Sequence, residues 1–277
     1  MSEVNCPQCG SEYTNIGLHW HRSECSYPSF TQRQHEIITG ILMGDGSINA
    51  KEGRKPYFKL TNKKKTFVQY IRDQFGILAT DVKTEKMFTS YSGEITMYRV
   101  ATRCLPELEE YADWYKPDGK RYPHDLELTP LIAKMWYVCD GGLNKSESQR
   151  YTVQIACKDQ KDRGDKIIEL FDEVGFTAKW AGSQIYLRAS DSQDFLEWIG
   201  DPVPGYEYKW DSNDNIENTF DRPQNNPWKD KDRMYDLYVD KNMSMNDIAE
   251  ELECSFHTVN CWLHKHDIDV EDKHVTY

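Results

Sequence analysis

Two stretches of this chain end in the same way. Residues 38–49, ITGILMGDGSIN, and residues 132–144, IAKMWYVCDGGLN, are apolar runs that close on an aspartate followed by glycine. Each run reads as a buried helix, and its C-terminal end carries the negative pole of the helix dipole, where a carboxylate is least welcome. One such ending is an ordinary helix stop, with glycine as a left-handed cap. Two endings in matching surroundings ask for something that compensates two acids.

The surroundings do match. Lys63 lies 18 positions after Asp45, and Lys158 lies 18 positions after Asp140. Between those points each half has a strand pattern, YFKLTN (57–62) and YTVQIAC (151–157). An amphipathic helix pattern follows in each, TFVQYIRDQFG and KIIELFDEVGF, then strands ending in YRVAT (98–102) and YLRAS (186–190). LPELEEYADWY and DSQDFLEWIG close the halves as further helices. The middle of the chain is an internal duplication.

Gly40 and Gly44 leave the first run without side chains along one stripe, so a second helix can approach closely. If the two runs pack together about a pseudo-two-fold axis, Asp45 and Asp140 emerge side by side. Their mutual repulsion, and their conflict with the helix dipoles, are both relieved by a divalent cation, and hard oxygen donors suit Mg²⁺. The carbonyls of Gly44 and Cys139 are natural further ligands, because helix ends leave carbonyls without intrahelical partners. Metal-assisted hydrolysis of a phosphodiester is the chemistry such a site supports.

With those residues in view, the pair of runs resembles the motif of the LAGLIDADG homing endonucleases. ITGILMGDG (38–46) is its first copy and AKMWYVCDG (133–141) its second. WYKPDGKRYPHDLELTPLIAKMWYVCDGG (114–142) and FLEWIGDPVPGYEYKW (195–210) resemble the subgroup with a Trp- and Met-rich second motif. The resemblance spans roughly residues 33–210. It implies an α+β fold: a duplicated αββαββα core with pseudo-two-fold symmetry, whose two sheets form a saddle over DNA. Asp45 and Asp140 match the family's metal-holding residues. Met43 and Val138 depart from the motif at a structural position, and Cys139 and Met135 stand where small residues are usual. The implied activity is site-specific cleavage of both strands of a long, non-palindromic double-stranded target by a monomer. A non-cleaving DNA-binding regulator and an intron RNA maturase are the rival readings.

Lys63 and Lys158 are the expected basic partners of the metals, on the strength of their equal offsets. Strands 57–62, 82–90, 95–103, 149–157 and 184–190 would carry the side chains that read base edges. Which alternate set faces DNA depends on register, which the sequence does not fix.

The ends of the chain add two smaller units. Residues 6–25, CPQCGSEYTNIGLHWHRSEC, hold a CxxC followed by a His/Cys pair at zinc-finger spacing. Cys6, Cys9, His21 and Cys25 are the favoured Zn²⁺ ligands, with His19 the fallback. Residues 211–230 are rich in Asn, Asp and Pro and read as a linker. Residues 231–277 resemble a helix-turn-helix of the resolvase and sigma-factor type. Leu237, Ile248, Ala249, Leu252, Val259, Trp262 and Leu263 would form its core. Residues 255–265 would be its recognition helix, with Phe256, His257, Asn260 and Cys261 exposed to DNA. The expected organisation is thus a zinc finger (1–30), repeat 1 (31–119), repeat 2 (120–210), a linker, and the helical domain.

The formal net charge of −12 runs against a nucleic-acid partner until its distribution is seen. Residues 31–115 carry 11 acidic and 13 basic side chains, whereas residues 211–277 carry 16 and 7. No stretch has the roughly 20 apolar residues of a membrane span, and MSEVNCPQCG has no secretion-signal pattern. The expectation is a cytoplasmic protein, nucleoid-associated in a prokaryote, whose eight cysteines stay reduced or bind metal.

Overall fold

The structure, a computed structural model, describes residues 3–22, 25–51, 53–89, 93–116, 119–145, 151–210, 227–252, 254 and 256–270. The chain divides into two compact units, Met1–Asn213 and Asp214–Tyr277.

The first unit opens with a small module: β1 (Val4–Asn5) paired with β2 (Glu12–Tyr13), then α1 (Ile16–Arg22). Repeat 1 follows as α2 (Gln32–Met43), β3 (Ser47–Lys51), β4 (Arg54–Asn62), α3 (Lys65–Phe75), β5 (Lys83–Thr89), β6 (Gly93–Ala101) and α4 (Glu109–Ala112). A two-stranded turn, β7 (Tyr115–Lys116) with β8 (Gly119–Lys120), leads into repeat 2. That repeat is α5 (Pro130–Asp140), β9 (Gly141–Lys145), β10 (Tyr151–Ala156), α6 (Gly164–Glu173), β11 (Ala178–Ala181), β12 (Gln184–Leu187) and α7 (Ala189–Ile199). The two four-stranded antiparallel sheets have the same order, β3-β4-β6-β5 and β9-β10-β12-β11. The duplication read from the sequence is therefore a duplication of topology, and the α+β αββαββα expectation holds. The strands that start directly after the aspartates, β3 and β9, are the ones that sequence alternation did not mark.

Local chemistry sets the helix starts. Thr31 caps α2 through a reciprocal pair with Gln34, each side chain accepting from the other's backbone N–H. Thr129 caps α5, with Pro130 in the first turn, where its missing N–H costs nothing. From Ile37 to Met43 every residue of α2 is buried, so the helix is wrapped by protein on all sides. Its nearest neighbour is α5. A Cβ on Gly40 would collide with the Ile132 carbonyl oxygen and lie 2.6 Å from Met135 Cβ, and one on Gly44 would collide with Cys139 Cβ. Backbone-level contact is achieved despite the bulk of Met135 and Cys139, because Gly40 and Gly44 present no side chain to them.

The glycines after the aspartates are not left-handed caps. Neither Gly46 nor Gly141 has a positive φ. A methyl on Gly46 would sit 2.8 Å from the Ile41 carbonyl oxygen, and one on Gly141 would run into the Tyr137 ring. Each glycine lets the departing strand fold tightly back over the last turn of its own helix.

The two sheets share one core with these helices. Phe58, Leu60 and Val100 of the first sheet, and Val153, Ile155, Ile185 and Leu187 of the second, are buried on the helix side. Tyr57, Lys59, Thr61 and Arg99, and Thr152, Gln154 and Tyr186, keep the opposite faces open. In the second unit, α8 (Lys231–Tyr235), α9 (Met245–Glu251) and α10 (Phe256–Lys265) enclose Leu237, Ile248, Leu252, Val259 and Leu263. Trp228, from the stretch read as linker, is buried there too, while Trp262 only packs against the margin. No helix among the described residues is long and apolar enough to cross a membrane.

Gly40→Ala is expected to destabilise the first unit by about 1–3 kcal/mol, since a helix backbone must yield to the methyl. Gly142→Ala, whose methyl meets open space, should cost less than about 0.5 kcal/mol. Urea midpoints of the two variants test the contrast.

Candidate active site

Asp140 is the last residue of α5, and Asp45 lies two residues beyond the end of α2. The helix contact carries both to the same place: a Cβ on Gly44 would lie 3.2 Å from an Asp140 carboxylate oxygen. Burial raises the Asp140 carboxyl, and the charge of Asp45 raises it further, to about 6. Asp45 keeps an exposed edge, yet the crowding around it also raises its carboxyl; Lys209, Asn62 and Lys120 act the other way.

What compensates the acids and the helix dipoles is a pair of lysines that the sequence reading did not select. Lys120 Nζ donates to the Gly44 carbonyl oxygen at 2.9 Å. Lys209, only 9% exposed, donates to the carbonyls of Tyr137, Val138 and Gly141 at 3.2, 2.7 and 2.6 Å. Lys120, from the turn between the repeats, closes the C-terminal end of the repeat 1 motif helix, and Lys209 closes that of repeat 2. Both sit within electrostatic reach of both aspartates. Tyr122 adds its hydroxyl to the Met43 carbonyl at 2.6 Å. Burial lowers the pKa of both lysines, and the neighbouring aspartates oppose that shift.

Lys63 and Lys158, by contrast, are exposed and are not brought to the carboxylates. The reason is strand alternation. The residue before each, Asn62 and Cys157, is the buried one that turns inward. Asn62 Nδ2 donates to Asp45 at 3.3 Å, and its Oδ1 accepts from the Tyr206 hydroxyl at 3.1 Å. Cys157 offers only a thiol, bonded to the Ile155 carbonyl at 3.7 Å. Asn62 and Tyr206 were therefore missed by one position and by one repeat, respectively. Of the expected carbonyl ligands, Gly44 already accepts from Lys120, and the Asp45 N–H points to the Cys139 sulfur.

In the N-terminal module the ligand atoms of Cys6, Cys9, His19 and Cys25 all lie within 4.8 Å of one another. The favoured His21 is corrected to His19. Two positions along α1 turn a side chain by about 200°; His21 Nδ1 instead meets the Tyr27 hydroxyl at 3.2 Å. His19 stacks on Tyr13, with Nε2 3.6 Å from Cys9 Sγ. Gly10, at φ +71°, makes the turn after the CxxC, and its N–H donates to the Cys6 carbonyl at 2.8 Å. A hydrogen bond from the Ser11 backbone is the largest influence on the Cys9 thiol, which is lowered to about 6. Three thiols and an imidazole, one thiol already close to the thiolate form, suit a tetrahedral Zn²⁺.

Phe256 stands at the start of α10, 49% exposed, and Asn260 is half-buried one turn on. The side chains of His257 and Cys261 lie outside the described residues.

A sequence profile of the LAGLIDADG DNA endonuclease family matches residues 35–195. Among solved structures, the homing endonuclease I-WcaI bound to its DNA recognition sequence matches with a TM-score of 0.60 at 15% identity. The match covers 72% of this chain and 92% of that one. I-DmoI in complex with DNA and Mn gives a TM-score of 0.34 at 13% identity, over 61% of this chain and 96% of that one. No curated protein matches.

Cobalt titration, read from the visible bands of tetrahedral cobalt, should separate the two histidines: His21→Ala keeps the bands and His19→Ala loses them. The Asp140 carboxyl makes a second prediction. Its pKa of about 6 exceeds the value of about 3.9 in an unfolded chain. Between those values the folded protein keeps a proton that the unfolded chain has released, so stability falls as pH rises through that window. Asp140→Asn in magnesium-free buffer should therefore be more stable than the parent at pH 7 by about 1–3 kcal/mol, allowing for partial solvent screening. The gain should vanish near pH 4. Urea unfolding at pH 4, 5, 6 and 7 checks both sign and window.

Proposed function

The chain belongs to the LAGLIDADG DNA endonuclease family, and we propose that it is a homing endonuclease that cuts both strands of one long, non-palindromic duplex target. The observation that carries this reading is the meeting of Asp45 and Asp140 at the ends of two helices in backbone contact. Mg²⁺ is the proposed cation, held by the two carboxylates. When bound it supplies the Lewis acidity that lowers the pKa of an attacking water and stabilises the leaving oxygen.

The chain's own residues do the rest. Asn62 orients the Asp45 carboxylate and is itself fixed by Tyr206 from the other repeat. Lys120 and Lys209, anchored on helix-end carbonyls, lower the cost of two adjacent negative charges. With the cation bound, the two ammoniums would leave the site with a positive potential that favours an approaching phosphate. The open sheet faces, with Lys59, Thr61 and Arg99 on one and Thr152, Gln154 and Tyr186 on the other, present side chains suited to base edges and backbone. Because the repeats differ in these residues, each would read a different half-site, so one monomer handles an asymmetric sequence. Zn²⁺ on Cys6, Cys9, His19 and Cys25 would hold the N-terminal module. The second unit, in the helix-turn-helix reading, would extend recognition through Phe256 and Asn260. The enzyme would act in the cytoplasm, at the nucleoid in a prokaryotic host.

The test is incubation with the DNA flanking its own gene, joined without the insertion, in Mg²⁺ and in chelator. The parent should give a double-strand break in Mg²⁺ alone. Asp45→Asn and Asp140→Asn should each slow cleavage of at least one strand by about 10³-fold or more, while binding persists. Full cleavage by both variants would remove the catalytic assignment. Binding without cleavage by the parent would leave a DNA-binding regulator built on the same core.

A further inference from the structure

Residues 158–163, KDQKDR, form a short 3₁₀ turn after β10, and five of the six are charged. Lys158, Asp159, Lys161 and Asp162 are exposed, as their charge requires, whereas Gln160 between them is fully buried. A buried side-chain amide is costly unless both of its ends are bonded. Gln160 Nε2 donates to the Lys120 carbonyl oxygen at 2.6 Å, and Gln160 Oε1 accepts from the Tyr122 N–H at 3.4 Å. Those two groups flank Arg121 on one edge of the chain just after β8, so a side-chain amide takes the place of an adjoining strand.

Neighbouring residues strengthen the grip. Arg163 Nη1 donates to the Tyr122 carbonyl at 2.7 Å. Arg121 Nη1 donates in return to the Asp159 carbonyl and to the Asp162 carboxylate, each at 2.7 Å. Residues 120–122 belong to the connection between the repeats, yet repeat 2 holds them and their side chains act on repeat 1. Lys120 Nζ and the Tyr122 hydroxyl bond the Gly44 and Met43 carbonyls, immediately before Asp45. Tyr122 is buried and kept in place by packing, whereas Lys120 is half-buried and its ammonium has solvent as an alternative. Because a lysine stem is flexible, where its ammonium stands depends on how firmly its backbone is held.

We propose that Gln160 is a positioning residue of the nuclease reaction. By fixing the peptide units on either side of Arg121, it keeps the Lys120 ammonium on the Gly44 carbonyl, within reach of Asp45 and Asp140. It acts through Lys120 and not on the acids themselves. This role rests on the nuclease reading, and it makes a buried residue of repeat 2 responsible for the cation at the end of the repeat 1 helix.

Two measurements on the full chain test the role, the first without DNA or metal. Gln160→Met removes both amide bonds and fills a similar volume. Acetic anhydride labelling, read by peptide mass spectrometry and normalised to the exposed Lys63, reports the freedom of each ammonium. Lys120 should label about tenfold faster or more in the variant, as a local opening allows, while the buried Lys209 stays protected. Equal protection of Lys120 in both proteins overturns the role. Release of Lys209 together with Lys120 overturns it too, since Gln160 would then support the core as a whole. The second measurement is cleavage of the joined flanking DNA in Mg²⁺. Gln160→Met should slow cleavage of the bound duplex about 10–100-fold, the cost of a misplacement of about 1 Å, with duplex affinity unchanged. In a Lys120→Met background the same change should cost less than about twofold further, because Gln160 then has nothing left to act through. Losses that multiply independently overturn the role. A variant that cuts as fast as the parent ends the role and leaves the nuclease standing, whereas a parent that does not cut ends both.

Discussion

Backbone contact between α2 and α5 is the constraint from which the rest of the first unit follows. Dispersion between close-packed atoms is individually small, but glycines at the contact let two helix backbones approach closely enough to gain it over many atom pairs. The contact at Gly40 and Gly44 leaves no space for a side chain between the helices, and this close fit sets their axial register. That register decides where the helices end relative to each other, and hence that two carboxylates share one site. The sheets inherit it as well, because β3 and β9 leave directly from the helix ends. The placement of two sheets of the same strand order is then a consequence of one interface.

Joining two helix ends collects four unfavourable features: two negative dipole poles and two carboxylates. Lys120 and Lys209 answer the first pair by hydrogen bonding to helix-end carbonyls and the second by proximity to both acids. Burying an ammonium is itself costly unless it is fully paired. Lys209 meets that condition with three carbonyl acceptors. The balance is nonetheless incomplete, since the Asp140 carboxyl remains raised to about 6. A divalent cation is the missing positive charge, and the same imbalance that burdens the metal-free fold favours its capture.

Features with a fixed period were legible in the sequence, and features set by tertiary convergence were not. The two motif helices, their acids and the duplicated order of elements showed in apolar runs and in the equal offsets to Lys63 and Lys158. Those offsets marked true equivalents in the fold, yet the residues that turn inward are Asn62 and Cys157, one position earlier. A two-residue alternation cannot be phased from offsets alone. Lys120 and Lys209 left no such trace. They follow their acids by 75 and 69 positions, because the connections closing the two repeats differ in length, so a search for equal spacing passes over them. His19 lost to His21 for a similar reason: ligand spacing along a chain does not say which side of a seven-residue helix faces the knuckle.

The halves match where the helix ends demand it and diverge where they do not. Each acid sits at its own helix terminus, so each terminus needs its own cation, and each has one. The polar link is different: Asn62 ties Asp45 to Tyr206 across the two repeats, and its counterpart Cys157 offers Asp140 no such tie. Asp45 is oriented by a hydrogen bond, whereas Asp140 is placed by the helix it terminates. One carboxylate is thus fixed by side-chain chemistry and the other by backbone geometry, and the two scissile strands of a bound duplex would meet chemically unequal surroundings. Asymmetry of that kind is available only to a chain that carries both halves, since two copies of a single repeat would have to present the same residues twice.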